Sequence, residues 1–217
     1  MKRLWLSTLL FALTGAGSPN AKTYCVCGMT IGSGWIINSN KDTKDEFTLT
    51  DQNGQVFHLS QLRGKVVLLF FGYTHCPDAC PTTMSKLTRV YKLLGNKAQN
   101  VVTVFVSLDP YRDRPTVLKM YLAYFHLNSV GLTGSKEEID RVVNQYSARY
   151  EIEQSDSAAG YHINHSTDLY LLDKKGEIVN RFKYEDGTQT IADGLRSLFL
   201  FCCSHRSILE LVRLKSK

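Results

Sequence analysis

Between Phe47 and Phe201 the chain alternates apolar runs with polar, turn-forming stretches. Phe47 and Leu49 alternate with polar residues, as do Phe57 and Leu59, and the two pairs flank Asp51-Gln52-Asn53-Gly54. Period-two alternation on either side of an Asn-Gly turn predicts a β-hairpin. After the turn Leu62-Arg63-Gly64-Lys65, residues 66–71 are all apolar and mostly β-branched or aromatic. Such a run suits a strand buried on both faces. Residues 78–94 take up helical spacing (Met84, Leu87, Val90, Tyr91, Leu94) and stop at Gly95. Residues 101–106 predict a second buried strand, and residues 115–124 a helix with Pro115 in its first turn. Ser135 with Glu138 three residues on matches a capping box and predicts a further helix start. Residues 166–172 read as a strand, 173–176 as a turn, 177–183 as its hairpin partner, and 188–201 as a last helix.

The predicted order is hairpin, strand, helix, strand, helix, helix, hairpin, helix. Buried strands joined by helices imply a parallel core, and the last hairpin adds an antiparallel edge. This is an α/β domain of the thioredoxin-like kind: a central sheet flanked by helices, with N-terminal and C-terminal β-hairpin additions. We assign it to residues 45–200. No internal repeat or low-complexity tract interrupts it.

The ends have other uses. Met1-Lys2-Arg3 is a short positive segment, residues 4–16 are largely apolar, and Gly17-Ser18-Pro19-Asn20 is small or polar. That is the layout of a secretory signal, whose apolar part runs ~7–15 residues, shorter than the ~20 needed to span a bilayer. Residues 1–21 are therefore read as a signal peptide or a retained N-terminal membrane anchor, and residues 22–44 as a linker. Residues 201–217 form a tail whose Ile208, Leu209, Leu211, Val212 and Leu214 fit a short surface helix. No lipobox precedes Cys25. An exported chain works outside the cytoplasm, where disulfides persist; in a bacterium that is the periplasm or the outer face of the inner membrane.

Composition narrows the classes. With 43% hydrophobic and 21% charged residues among 217, the chain is not disordered. A mean hydropathy of −0.17 excludes a polytopic membrane protein. The net charge of +6 invites a nucleic-acid reading. Lys2 and Arg3 belong to the export segment, however, and the other basic residues are scattered rather than gathered on one face, so no nucleic acid is expected. The six cysteines (Cys25, Cys27, Cys76, Cys80, Cys202, Cys203) are too few for a disulfide-stapled mini-scaffold and enough for a redox or metal site.

Two of them stand where chemistry is expected. Cys76 and Cys80 lie between the C-terminal end of a buried strand and the start of a helix, the end of an open α/β sheet where ligands bind. A helix N-terminus favours the thiolate, which is both nucleophile and metal ligand. On a helix, residues four apart share a face with Cβ atoms ~5–6 Å apart, so the sulfurs can bridge or chelate one ion. Two thiolates are soft ligands that favour Cu(I), with zinc a competitor. A plain disulfide or two buried thiols is the structural alternative.

The run Phe70-Phe71-Gly72-Tyr73-Thr74-His75-Cys76-Pro77-Asp78-Ala79-Cys80-Pro81 resembles the signature of the SCO/SenC family of copper-binding proteins. Residues 106–115 resemble its "S-x-D-P-x-R-D-x-P" stretch, residues 131–134 its "G-L-T-G", and residues 161–173 its "D-H-S" block. The resemblance runs from about residue 47 to residue 199. It implies one copper ion held by Cys76, Cys80 and His165, with Cys76 and Cys80 also a redox-active pair. It further implies a thiol-redox and copper-delivery role in maturing the dinuclear copper site of cytochrome c oxidase subunit II, or of another copper-accepting protein. Thiol-disulfide exchange partners and membrane association through the N-terminus are part of that expectation.

Other readings stay open: a metal-independent thiol-disulfide oxidoreductase or peroxidase, or a sensor of copper or redox state. Asn164 departs from the family's Asp before the histidine, which bears on how His165 is supported. His75 is expected to point away from Cys76, His162 to be a solvated loop residue, and His58, His126 and His205 to be ordinary. Asp109, Arg112, Asp113 and Arg114 read either as a salt-bridged turn or as a docking surface. Cys25, Cys27, Cys202 and Cys203 fall outside the family pattern.

Overall fold

Two strands, β3 (Val66–Gly72) and β4 (Val101–Ser107), form the centre of the sheet. Every residue of both is buried, as their unbroken apolar runs require. They pair in parallel from Val66 opposite Val101 to Gly72 opposite Ser107, so both end at the same mouth. The computed structural model describes residues 46–155 and 160–200. The export segment, the linker, the tail and Cys25, Cys27, Cys202, Cys203 and His205 lie outside the described residues.

Around this pair the chain builds β1 (Thr48–Asp51), β2 (Val56–His58), α1 (Ala79–Leu94), α2 (Pro115–Ala123), β5 (Ser129–Thr133), α3 (Lys136–Gln145), β6 (Tyr150–Gln154), β7 (Tyr161–His165), β8 (Leu169–Leu172), β9 (Ile178–Phe182) and α4 (Thr188–Leu200). The main sheet has seven strands in the order β2-β1-β5-β4-β3-β8-β9. β8 runs antiparallel to β3, and β9 antiparallel to β8, as the predicted edge hairpin requires. Period two along β3 divides the core. Val67, Leu69 and Phe71 join Tyr146, Ile139 and Val143 of the α3 side. Val66, Leu68 and Phe70 join Met84 and Leu87 of α1, Leu118 of α2 and Leu195 of α4. Each such side chain contributes ~1.5–3 kcal/mol on burial. No helix among the described residues is long and apolar enough to cross a membrane.

Local signals explain the ends of elements. The Asp51 carboxylate accepts the N–H groups of Asn53 and Gln55, both at 2.8 Å, and Gly54 takes φ +77°, closing the first hairpin. Ser135 Oγ accepts Glu138 N–H at 3.2 Å while the Glu138 carboxylate accepts Ser135 N–H at 2.8 Å, completing the capping box.

The order of elements departs from the predicted one in two places. β5 is an additional strand, parallel to β4 and antiparallel to β1, through which the N-terminal hairpin joins the sheet. Its five residues include Gly131, whose presence weakens the strand signal. The glycine lets α2 pack closely, since a Cβ there would come within 2.6 Å of Leu122 Cδ1 and 3.3 Å of Leu118 Cβ. The second is β6 with β7, an antiparallel pair forming a two-stranded sheet of its own. Its polar residues outnumber its apolar ones, and only Ile163 is fully buried, so the sequence does not advertise the pair. In consequence the strand expected over residues 166–172 begins only at Leu169, and residues 166–168 connect β7 to it.

Candidate metal centre

Gly72 ends β3, and α1 begins seven residues later at Ala79. Cys80, the second residue of α1, is buried, and Cys76 sits half-buried in the turn before the helix. The pair therefore does not share a helix face, as the spacing suggested. Cys76 N–H donates to Tyr73 O at 3.2 Å, and this turn folds the Cys76 sulfur back over the helix start. Cys80 N–H donates to Cys76 Sγ at 3.5 Å, so the sulfur takes one of the free amide donors of the helix N-terminus. The Cys80 sulfur occupies the space a side chain would fill at Gly72, where a Cβ would lie 2.6 Å from Cys80 Sγ. Both cysteines are free thiols.

His165 closes the site from the far end of β7. Its Nε2 lies 3.5 Å from Cys80 Sγ, and its Nδ1 is 2.9 Å from the Ser166 carbonyl. A carbonyl can only accept, so Nδ1 carries a proton, and Nε2 is the nitrogen turned to the sulfurs, where it would ligate a metal. The Cys76, Cys80 and His165 ligand atoms lie within 4.8 Å of one another. A cavity of about 590 Å³ opens over them, lined by Tyr73, His75, Cys76, Pro77, His162 and His165 among others.

The two thiols are electrostatically unlike. Hydrogen bonding from the Cys80 thiol, then from His165 and the Cys80 and Asp78 backbone, outweighs burial and lowers the Cys76 pKa to about 3. Cys80 is pushed upward by donating to Cys76, by burial and by the Cys76 charge. The metal-free pair thus holds one proton between two sulfurs. A cation entering here displaces that proton and gains two thiolates and an imidazole, a set suited to a soft ion such as Cu(I).

The remaining histidines stay outside this set. His75 turns away from the sulfurs, with Nδ1 3.1 Å from Thr74 Oγ1 and 3.8 Å from Asp113 Oδ1. His162 is exposed as expected, but it lies in β7 rather than a loop, with Nε2 2.8 Å from Glu153 Oε2. His58 Nδ1 lies 2.8 Å from Thr48 Oγ1 across the first hairpin, and His126 is an exposed residue with φ +53° just past α2. Asn164 also faces Glu153, to which its Nδ2 donates. The support for His165 at this position thus comes from the Ser166 carbonyl and not from the residue before the histidine.

In the Asp109 to Arg114 stretch Asp109, Arg112 and Asp113 are tied into the structure, while Tyr111 and Arg114 are exposed. Asp113 is fully buried and accepts Thr74 N–H at 2.9 Å, Thr74 Oγ1 at 2.6 Å and Ser107 Oγ at 2.7 Å, fixing the loop that carries Cys76. Asp109 accepts Arg112 Nε and, at 2.8 Å, the Tyr161 hydroxyl. Two functional residues are not evident from sequence patterns: Tyr73, whose hydroxyl meets β7 from the sheet mouth, and Tyr161, whose hydroxyl meets Asp109 from β7. Their signal was position alone: one follows the central strand, and the other opens β7.

A thioredoxin-like α/β domain that converges two cysteine sulfurs and an imidazole nitrogen at its sheet mouth is, by fold and site, a thiol metal-site protein. The family is then plain: the SCO1/SenC family model matches residues 37–200, and the chain belongs to that family. An SCO2-like protein of Rickettsia felis is 35% identical over 162 residues, covering 74% of this chain and 79% of that protein. The copper-bound structure of Bradyrhizobium japonicum ScoI is 36% identical with a TM-score of 0.65, covering 70% of this chain and 97% of that one. BsSco, described as a member of the Sco family of cytochrome c oxidase assembly proteins and as having a disulfide switch, is 26% identical with a TM-score of 0.56, covering 70% and 91%.

Proposed function

We propose that the protein binds one copper ion through Cys76 Sγ, Cys80 Sγ and His165 Nε2 and supplies it to a copper-accepting partner. The partner class is the dinuclear copper site of cytochrome c oxidase subunit II during its maturation. The observation that carries this reading is the convergence of three ligand atoms within 4.8 Å under an open cavity. Three ligands hold Cu(I), and the open side admits an incoming ligand from the acceptor, so release proceeds by ligand exchange. The copper-bound relative and the cytochrome c oxidase assembly description of another support the metal and the partner class. The positive, apolar N-terminal segment supports an extracytoplasmic place for the work, with membrane attachment if that segment is retained.

A second reading rests on the Cys76 thiolate. With its pKa near 3, Cys76 is ionised at neutral pH beside a protonated Cys80. The thiolate attacks a partner disulfide and releases one partner thiolate; Cys80, losing its proton, then closes the Cys76–Cys80 disulfide and frees the second partner sulfur. Two electrons pass to the partner as a reduced dithiol.

Incubation with the soluble copper-accepting domain of subunit II separates the two readings. The copper-loaded protein should transfer its metal to the reduced acceptor. If copper stays put and only an oxidised acceptor changes, by reduction of its disulfide, the thiol reading replaces delivery.

A further inference from the structure

His165 reaches the cysteines from a hairpin that makes a separate two-stranded sheet, so the main sheet's strand ladder does not set its position. Side chains from the sheet mouth do that instead. Tyr73 is 2% exposed, and its hydroxyl accepts the Ile163 backbone N–H at 3.2 Å. Its ring meets the His165 ring edge-on, with centroids 5.9 Å apart and planes at 82°. Arg112 lies with its guanidinium 3.6 Å from the Tyr161 ring centroid and 5.8 Å from that of Tyr73, and its Nη1 donates to Tyr161 O at 3.2 Å. Tyr161, Ile163 and His165 occupy alternate positions of β7 and hence one face of it. The two side chains from the sheet mouth meet that face at the Tyr161 and His165 rings and hold the strand between them by the Ile163 amide.

On the reading that Cys76, Cys80 and His165 bind copper, the geometry points to Tyr73 and Arg112 as positioning residues that hold the imidazole against the sulfurs. Tyr73 acts by tethering the strand two residues before the ligand and by bracing its ring. Arg112 acts by clamping the start of the same strand. Neither supplies an atom to the candidate ligand set. Removing the Tyr73 hydroxyl leaves the ring and all three ligands in place but frees the backbone that carries one of them. Changes to groups that support metal ligands typically lower metal affinity by ~10–100-fold.

The test compares Tyr73→Phe, Arg112→Lys and His165→Ala with the unaltered full chain. In the metal-free protein, Tyr73→Phe should speed hydrogen exchange of the Ile163 amide while leaving the amides of β3 and β4 protected. The midpoint of global unfolding should fall only slightly, which a general loss of structure would not allow. With one equivalent of Cu(II), Tyr73→Phe and Arg112→Lys should bind about tenfold more weakly and show altered nitrogen hyperfine structure in the electron paramagnetic resonance spectrum. His165→Ala should lose that nitrogen signal altogether. If His165→Ala changes the copper spectrum and affinity while both tether variants match the unaltered protein, the positioning role is overturned and the copper reading stands. If His165→Ala also matches, His165 is not a ligand and both readings fall.

Discussion

Asymmetry between two like residues underlies the chemistry of the site. Cys76 and Cys80 differ because one sulfur accepts hydrogen bonds at a helix start and the other is buried as the donor. Alkylation of Cys76 should therefore proceed at a rate nearly constant between pH 5 and 8, since its pKa near 3 keeps it ionised throughout. In Cys80→Ala the main donor is gone, so the pKa rises and the rate should climb with pH across that range. A rate that climbs with pH in the unaltered protein would contradict the assignment. Gly72 makes a second prediction at this scale. A methyl group there would stand 2.6 Å from Cys80 Sγ, so Gly72→Ala must displace the sulfur. Copper affinity should fall about tenfold, by the measure of altered metal-ligand support, with the thermal midpoint changed far less. Equal affinity in the variant would show that the sulfur relocates freely.

Among the elements, the loop before α1 is held by Asp113 and the start of α3 by Ser135 together with Glu138. Asp113 takes three hydrogen bonds from Thr74 and Ser107 with no solvent to replace it. Asp113→Ala leaves those donors unpaired and should lower stability by about 3 kcal/mol, read as the shift in urea unfolding midpoint. Ser135→Ala removes half of a capping box far from the cysteines and should cost about 1 kcal/mol, lowering the thermal midpoint by ~2–4 °C with copper binding intact. The elements also show what could be read in advance. β3 and β4 were legible because a strand buried on both faces spells itself as an unbroken apolar run. α3 was legible because Ser135 and Glu138 stand three apart. β5 was hidden by Gly131, whose missing side chain makes room for α2, and β6–β7 by a majority of polar residues. Cys76 and Cys80 could be picked out from the sequence, and His165 through the family resemblance. The grip of Tyr73 and Arg112 on β7 could not, since that strand's existence was not evident.

The whole molecule joins a mixed sheet whose parallel centre opens at one mouth, a dithiol at the start of the helix leaving it, and a hairpin outside the main sheet that brings in an imidazole. The net charge of +6 has no part in this; the described basic residues that matter, Arg112 above all, are used internally. The central claim is that two cysteines and one histidine from these separate pieces hold a single copper ion. X-ray absorption at the copper edge, on reduced full-length protein loaded anaerobically with one equivalent of Cu(I), tests it most directly. The account predicts stoichiometric binding with two sulfur scatterers and one imidazole, reduced to one sulfur in Cys76→Ala and without the imidazole in His165→Ala. Substoichiometric copper, or a first shell lacking either sulfur or imidazole in the unaltered protein, would contradict it.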